Sequence, residues 1–203
     1  LHGVKANISV RINPDIDAHT HKYVTTGLYE NKFGISNHEF DKLIEFIQKS
    51  EHINFIGLHF HIGSQITRVD EVFSLECKRV NEIVKYFESK GLTVRNINLG
   101  GGLGVDYDDP DGNPIADFKT WFNAIDRNII RRADQTVHVE PGRSLVAQCA
   151  SLISRVLFVK SGETKNFLIM DAGMNDLIRP ALYGAYHKIE NLSAAQRSFF
   201  PTF

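Results

Sequence analysis

Four apolar runs of strand character recur along this chain at a nearly constant interval. "ISVRINP" from Ile8, "NFIGLHFHIGS" from Asn54, "VRNINLGGG" from Val94 and "TVHVEPGR" from Thr136 start 46, 40 and 42 residues apart. Each is β-prone and ends in Gly, Pro or polar residues, the signature of a strand running into a turn. Between them the apolar period lengthens to that of an amphipathic helix. Phe40, Leu43, Ile44 and Ile47 make the first stripe, and Ser36 with Glu39 has the spacing of a capping box. Val69, Val72, Phe73, Cys77, Val80, Val84 and Phe87 make the second, stopped by Gly91. Ile115, Phe118, Phe122, Ile125 and Ile129 make the third. Strand and helix alternating in this way predict parallel βα units, since parallel neighbours need a crossover between them.

In such units ligands gather beyond the carboxyl ends of the strands, in open sheets and closed barrels alike. The unusual chemistry of this chain falls at those ends: Arg11 and Asn13, His59 and His61, the glycines from Gly100, then Glu140 and Arg143. Long loops after the strands and the inward pairs His59/His61 and His138/Glu140 favour the barrel. A complete barrel has eight units in about 250 residues. The predicted fold is therefore α/β: residues 1–144 form the carboxy-terminal half, the last four units, of a TIM (β/α)8 barrel. Its first strand, from Ile8, is expected to show an unpaired apolar edge, an aggregation hazard unless another chain covers it. Beyond Arg143 the texture changes. "SLVAQCASLISRVLFVK", a turn near Gly162 and "NFLIMDAG" read as a long strand, a turn and a second strand, so 145–203 is expected to begin an antiparallel β domain. The tail 192–203 supports no assignment.

Composition narrows the function more than the fold. With 203 residues and 42% hydrophobic side chains the chain can bury a real core, and a formal net charge of -1 gives no basic field for nucleic acid. No apolar run approaches the roughly 18 residues of a membrane span, and no leader opens the chain, so the cytoplasm is the expected compartment. Cys77 and Cys149 are too few for a disulfide framework and lack metal spacing; both are expected to be semi-buried thiols. The chain begins with Leu1, as a fragment would.

Two motifs carry candidate chemistry. Gly100 to Gly102, with Gly104, follow a strand, but a dinucleotide fingerprint would need a small residue where Val105 stands. Successive glycines still let backbone N–H groups approach an anion, and Arg143 of "EPGR" adds a guanidinium that can clamp a phosphate with two hydrogen bonds. Alone, each motif reads equally as a tight turn or a surface ion pair; two late strand ends together favour a phosphate site. His59 and His61 share one face of a strand and could ligate a metal, as H-x-H does. They could equally pack on a planar cofactor or be hydrogen-bonded core histidines. Later strand ends lack the further ligands a metal wants. His19 and His21 lie in a polar loop and are expected to be solvated.

"RINPDIDAHTHKYVTTGLYENKFGI", "GLHFHIGSQI", "NLGGGLGVDY", "VEPGRSLVA" and "DAGMNDLIRPALYGAYH" together resemble the diaminopimelate decarboxylase family, pyridoxal-phosphate enzymes of the alanine-racemase-like barrel group. The likeness runs from about Val10 to His187, and "NKFGI" and "MNDLIRPALY" separate it from ornithine and arginine decarboxylases. It implies pyridoxal 5'-phosphate as cofactor, decarboxylation of meso-2,6-diaminopimelate to L-lysine as activity, and a homodimer with sites at its interface. It implies that His61 stacks on the pyridine ring, that Ser64, Gly100, Gly101, Gly102, Gly142 and Arg143 hold the phosphate, and that Glu140 faces the pyridine nitrogen. An opposite charge that close raises the nitrogen's pKa by roughly 1–3 units, favouring the protonated ring that acts as electron sink. It further implies that Arg179 and Tyr183, with Arg143 shared, bind the distal end of the substrate; elsewhere such a pair would be an exposed cation beside a packing aromatic. Arg11 lies near the cofactor in the family, and Lys32 is expected to brace the barrel.

The departures matter as much. The family's Schiff-base lysine lies before the position of Leu1, so these 203 residues alone are expected to be inactive. Lys5 in "GVKAN" looks like the family's lysine motif, but it stands six residues before Arg11, which belongs to a later strand. The family also places a cysteine and a tyrosine near its carboxyl end, for which Cys149, in the domain crossover, is no substitute. The rivals are another decarboxylase of the group, a cofactor-binding relative without catalysis, and a metal hydrolase.

Overall fold

A computed structural model describes residues 3–16 and 33–193; His19, His21, Lys32 and the end of the tail lie outside the described residues. Four strands, β1 (Ala6–Arg11), β2 (Ile53–His59), β3 (Asn96–Asn98) and β4 (Thr136–His138), form one parallel sheet in chain order. The crossovers carry helices α1 (Phe40–Lys49), α2 (Val69–Ser89) and α3 (Phe118–Asn128). Register lines the strands up row by row. Val10, Leu58, Ile97 and Val137 form an apolar row, followed by a polar one of Arg11, His59, Asn98 and His138. Adjacent rows face opposite sides of a sheet. Leu58 and Ile97 are fully buried. The polar row therefore occupies the other face, at the carboxyl tips. Among the described residues β1 has a ladder partner on one side only, apart from a bridge from Ile12 to Ile35 at its tip.

The helices bury the expected stripes with local differences. Every residue of the α2 stripe is buried, and Gly91, in the left-handed region, ends it. Glu76 is buried on the same stripe, which the apolar pattern did not suggest. The capping box does not form: Asn37–Glu39 make a short 3-10 turn first, and the Ser36 hydroxyl makes no cap hydrogen bond. In α3 the buried face runs through Trp121, Ala124 and Ile125, while Phe122, and Ile115 ahead of the helix, are exposed. The large indole replaces them because it packs on Phe73 of α2, ring centroids 5.3 Å apart.

The chain divides into two compact units, 1–105 with 115–145, and 106–114 with 146–203. The segment 106–114 thus joins the second unit rather than the first. The long strand expected after Arg143 is instead a short helix α4 (Arg143–Val146), an irregular stretch, and β5 (Val156–Ser161). β5 pairs antiparallel with β6 (Asn166–Met170), and α5 (Arg179–Tyr183) follows. Cys77 is buried, but Cys149 is exposed rather than semi-buried. No described helix is long and apolar enough to cross a membrane.

Candidate active site

The polar row at the strand tips becomes a connected cluster. Glu140, two residues past β4, is drawn to β3 because its N–H donates to Gly100 O at 2.5 Å. Its carboxylate then meets Asn98: Asn98 Nδ2 donates to Glu140 Oε1 at 2.8 Å, while Asn98 Oδ1 accepts from the Gly100 N–H at 2.8 Å. The other oxygen, Oε2, lies 3.6 Å from His59 Nε2, beyond hydrogen-bond length, and that buried nitrogen makes no hydrogen bond. His61 stands past the end of β2, not within it; its Nδ1 accepts from the Gly101 N–H at 3.3 Å. Burial pulls both imidazoles below their ordinary pKa, with Arg11 adding to the effect and Glu140 opposing it. Both shifts favour the neutral imidazole. Burial also lowers Arg11, again opposed by Glu140.

A second cluster lies at the same tips. Arg143, first residue of α4, reaches back to the loop after β2, where Nη2 donates to Ser64 Oγ and Nη1 to Gln65 Oε1, each at 3.1 Å. A guanidinium with one edge on two neutral oxygens keeps its full charge and further donors, which is anion-binding chemistry.

The glycine triplet joins the clusters by close approach. A Cβ on Gly101 would sit 1.8 Å from Glu140 O, on Gly100 2.2 Å from Phe60 O, and on Gly102 2.3 Å from Gly63 O. These residues are glycine because three strand tips converge there, leaving no space for a side chain. The N–H groups of Gly100 and Gly101 already have acceptors within the chain, Asn98 and His61.

The structure thus brings together His61, Gly100 to Gly102, Glu140 and Asn98, and, beside them, Ser64, Gly142 and Arg143. Arg179 and Tyr183 are both on α5 of the second unit. There Arg179 lies 4.6 Å over the Tyr107 ring and 3.1 Å from His187 Nε2. Sequence reasoning missed Asn98 and Gln65. Each is a polar residue beside a motif already singled out, Asn98 two residues before Gly100 and Gln65 directly after Ser64. Among the described residues no group of three or more His, Cys, Asp or Glu side chains could hold a metal ion.

The model of the family described as "Pyridoxal-dependent decarboxylase, pyridoxal binding domain" matches residues 2–147. A diaminopimelate decarboxylase of Bacteroides thetaiotaomicron is 51% identical over 191 residues, 94% of this chain and 49% of that protein. One from Helicobacter pylori is 39% identical over 194 residues, 96% of this chain and 47% of its own length. The crystal structure of the Helicobacter pylori enzyme complexed with L-lysine superposes with a TM-score of 0.79 at 39% identity, covering 95% of this chain and 48% of that one. The chain spans about half the length of the curated relatives it matches. A match over most of the chain, at strand tips whose geometry is coherent, leads to one conclusion: the chain belongs to the pyridoxal-dependent decarboxylases, through their pyridoxal-binding domain.

Proposed function

We propose that the protein takes part in the pyridoxal-phosphate-dependent decarboxylation of meso-2,6-diaminopimelate to L-lysine and carbon dioxide. The observation that carries this reading is the convergence of His61, the Gly100 to Gly102 turn, Glu140 and the Arg143–Ser64 pair within one unit. The names of the relatives supply the substrate.

The donor set fits the cofactor. Pyridoxal phosphate has an anionic phosphate at one end and a basic ring nitrogen at the other, and the strand tips offer a guanidinium with a hydroxyl, and a carboxylate. Arg143 and Ser64 would hold the phosphate. His61, kept neutral by burial, would lie flat on the ring. Glu140, with one oxygen fixed by Asn98, would hold the proton at the pyridine nitrogen. When bound, the cofactor supplies the electron sink that takes up the electron pair left as carbon dioxide departs. Arg179 and Tyr183 would bind the distal end of the substrate, with Arg143 shared.

The same reading makes residues 1–144 the carboxy-terminal half of a (β/α)8 barrel, and 145–203 the start of a β domain. It also makes the working assembly a cytoplasmic homodimer that binds no nucleic acid. The test is to express the whole open reading frame and supply pyridoxal phosphate with meso-diaminopimelate. Carbon dioxide and L-lysine should form in equal amounts. Release of carbon dioxide from ornithine or arginine instead, or no release at all, overturns the reading.

A further inference from the structure

Gln65 follows Ser64 directly and has a backbone φ of 62°, in the left-handed region that a residue with a long side chain rarely adopts. Such a conformation persists only where the surroundings over-determine it. Its amide does so here by pairing with the backbone of Val105 in both directions. Nε2 donates to Val105 O at 2.6 Å, and Oε1 accepts from the Val105 N–H at 3.3 Å. The same Oε1 accepts from Arg143 Nη1 at 3.1 Å, beside the bond from Nη2 to Ser64 Oγ. One side chain after β2 thus ties the segment after β3 to the guanidinium after β4.

We infer that Gln65 is a positioning residue that aims the Arg143 guanidinium at the phosphate of pyridoxal phosphate. The inference rests on the proposed function for the identity of that anion. A guanidinium is a rigid planar fork, so holding one edge on two acceptors sets the direction of its remaining N–H donors. A long flexible side chain loses rotamer freedom when it binds, and a guanidinium already fixed has less left to lose. The acceptor is also neutral. A carboxylate at this position would hold Arg143 equally well but cancel the charge that attracts phosphate; an amide oxygen fixes it and leaves the charge intact.

Two variants test this in the protein expressed from its whole open reading frame, by equilibrium dialysis against pyridoxal phosphate and, separately, against pyridoxal, which lacks the phosphate. Gln65→Asn keeps a residue type that tolerates the left-handed backbone, but its shorter amide cannot span both Val105 and Arg143. Its affinity for pyridoxal phosphate should fall about tenfold, the scale of one hydrogen bond to a charged group, with pyridoxal affinity unchanged. Gln65→Glu should also lose affinity for pyridoxal phosphate selectively, because the new carboxylate pairs with Arg143. Equal losses for both ligands would mean a structural role only and overturn the inference, as would no loss for either. If the parent protein itself does not prefer pyridoxal phosphate over pyridoxal, the proposed function falls and takes this inference with it. If the parent prefers it and both variants keep that preference, the inference alone falls.

Discussion

The two units bury their apolar residues to very different extents. In the first, Phe73, Phe87, Leu58, Ile97 and Trp121 are all completely inaccessible. In the second, all six residues of β5 are exposed, Phe158 to 59%. Their sequences are similar in kind: "VLFVKS" is as apolar and as β-prone as "INFIGLH". The difference is what covers them. A sheet backed by helices buries one face within the unit itself, whereas a two-stranded ribbon has no second layer and adds little stability on its own. Local hydrophobicity therefore marks where a core could form, and the layering decides whether it does.

The largest test of that contrast is truncation of an aromatic in each unit. Phe73→Ala should cost about 3–5 kcal/mol of unfolding free energy, whereas Phe158→Ala should stay within about 0.5 kcal/mol, both read by urea denaturation. A cost above 2 kcal/mol at Phe158 would show a covering layer on β5.

Arg143→Ala should reduce affinity for pyridoxal phosphate about tenfold to a hundredfold, the worth of one charged hydrogen-bonding group, without changing the urea midpoint appreciably.

Glu76 sharpens the comparison from inside the first unit. Both its oxygens are buried without partners, and burial pushes its pKa well above the ordinary 4.5. A folded-state pKa raised above the unfolded value makes the stabilising contribution greatest below pH 4.5, and the contribution is lost as the pH rises through the folded value. Glu76→Leu should accordingly raise stability at pH 7 by about 1–3 kcal/mol, with the gain shrinking as the pH falls towards 4. A loss of stability at pH 7 would mean that Glu76 has a partner the fold requires.

Each unit also carries one free cysteine. Cys77 is buried with a pKa pushed up to about 12, so its thiolate amounts to on the order of one part in ten thousand at pH 8. A thiol reagent should label exposed Cys149 in the folded protein and reach Cys77 only after denaturation. Equal labelling rates would show that Cys77 is as accessible in the folded protein as Cys149.

The legible part of the fold was the part repeated many times. Nine buried positions of α2 follow one period, so single misfits such as Glu76 did not disturb the reading. In α3 the stripe of five residues was short enough for Trp121 to pull the buried face around, and nothing local announced it. After Arg143, apolar residues without a clear period suggested a long strand where a short helix and an irregular stretch stand. At the site, His61, Glu140, Arg143 and the glycines stood out because their residue types are unusual at strand ends. Asn98 and Gln65 are common polar residues, and only their partners, 42 and 78 residues away in sequence, make them conspicuous.

Taken by itself, the order of residues determined the alternation of strands and helices, the ends at which reactive side chains collect, and the family resemblance. Periodicity and turn chemistry are local, so they can be read along the chain. Tertiary structure alone decided that Arg11, His59, Asn98 and His138 stand in one row, that two glycine N–H groups are taken by Asn98 and His61, and that an amide after β2 steadies a guanidinium after β4. Those are matters of register and hydrogen-bond partnership between distant segments, set by how the strands align when their apolar rows are buried together.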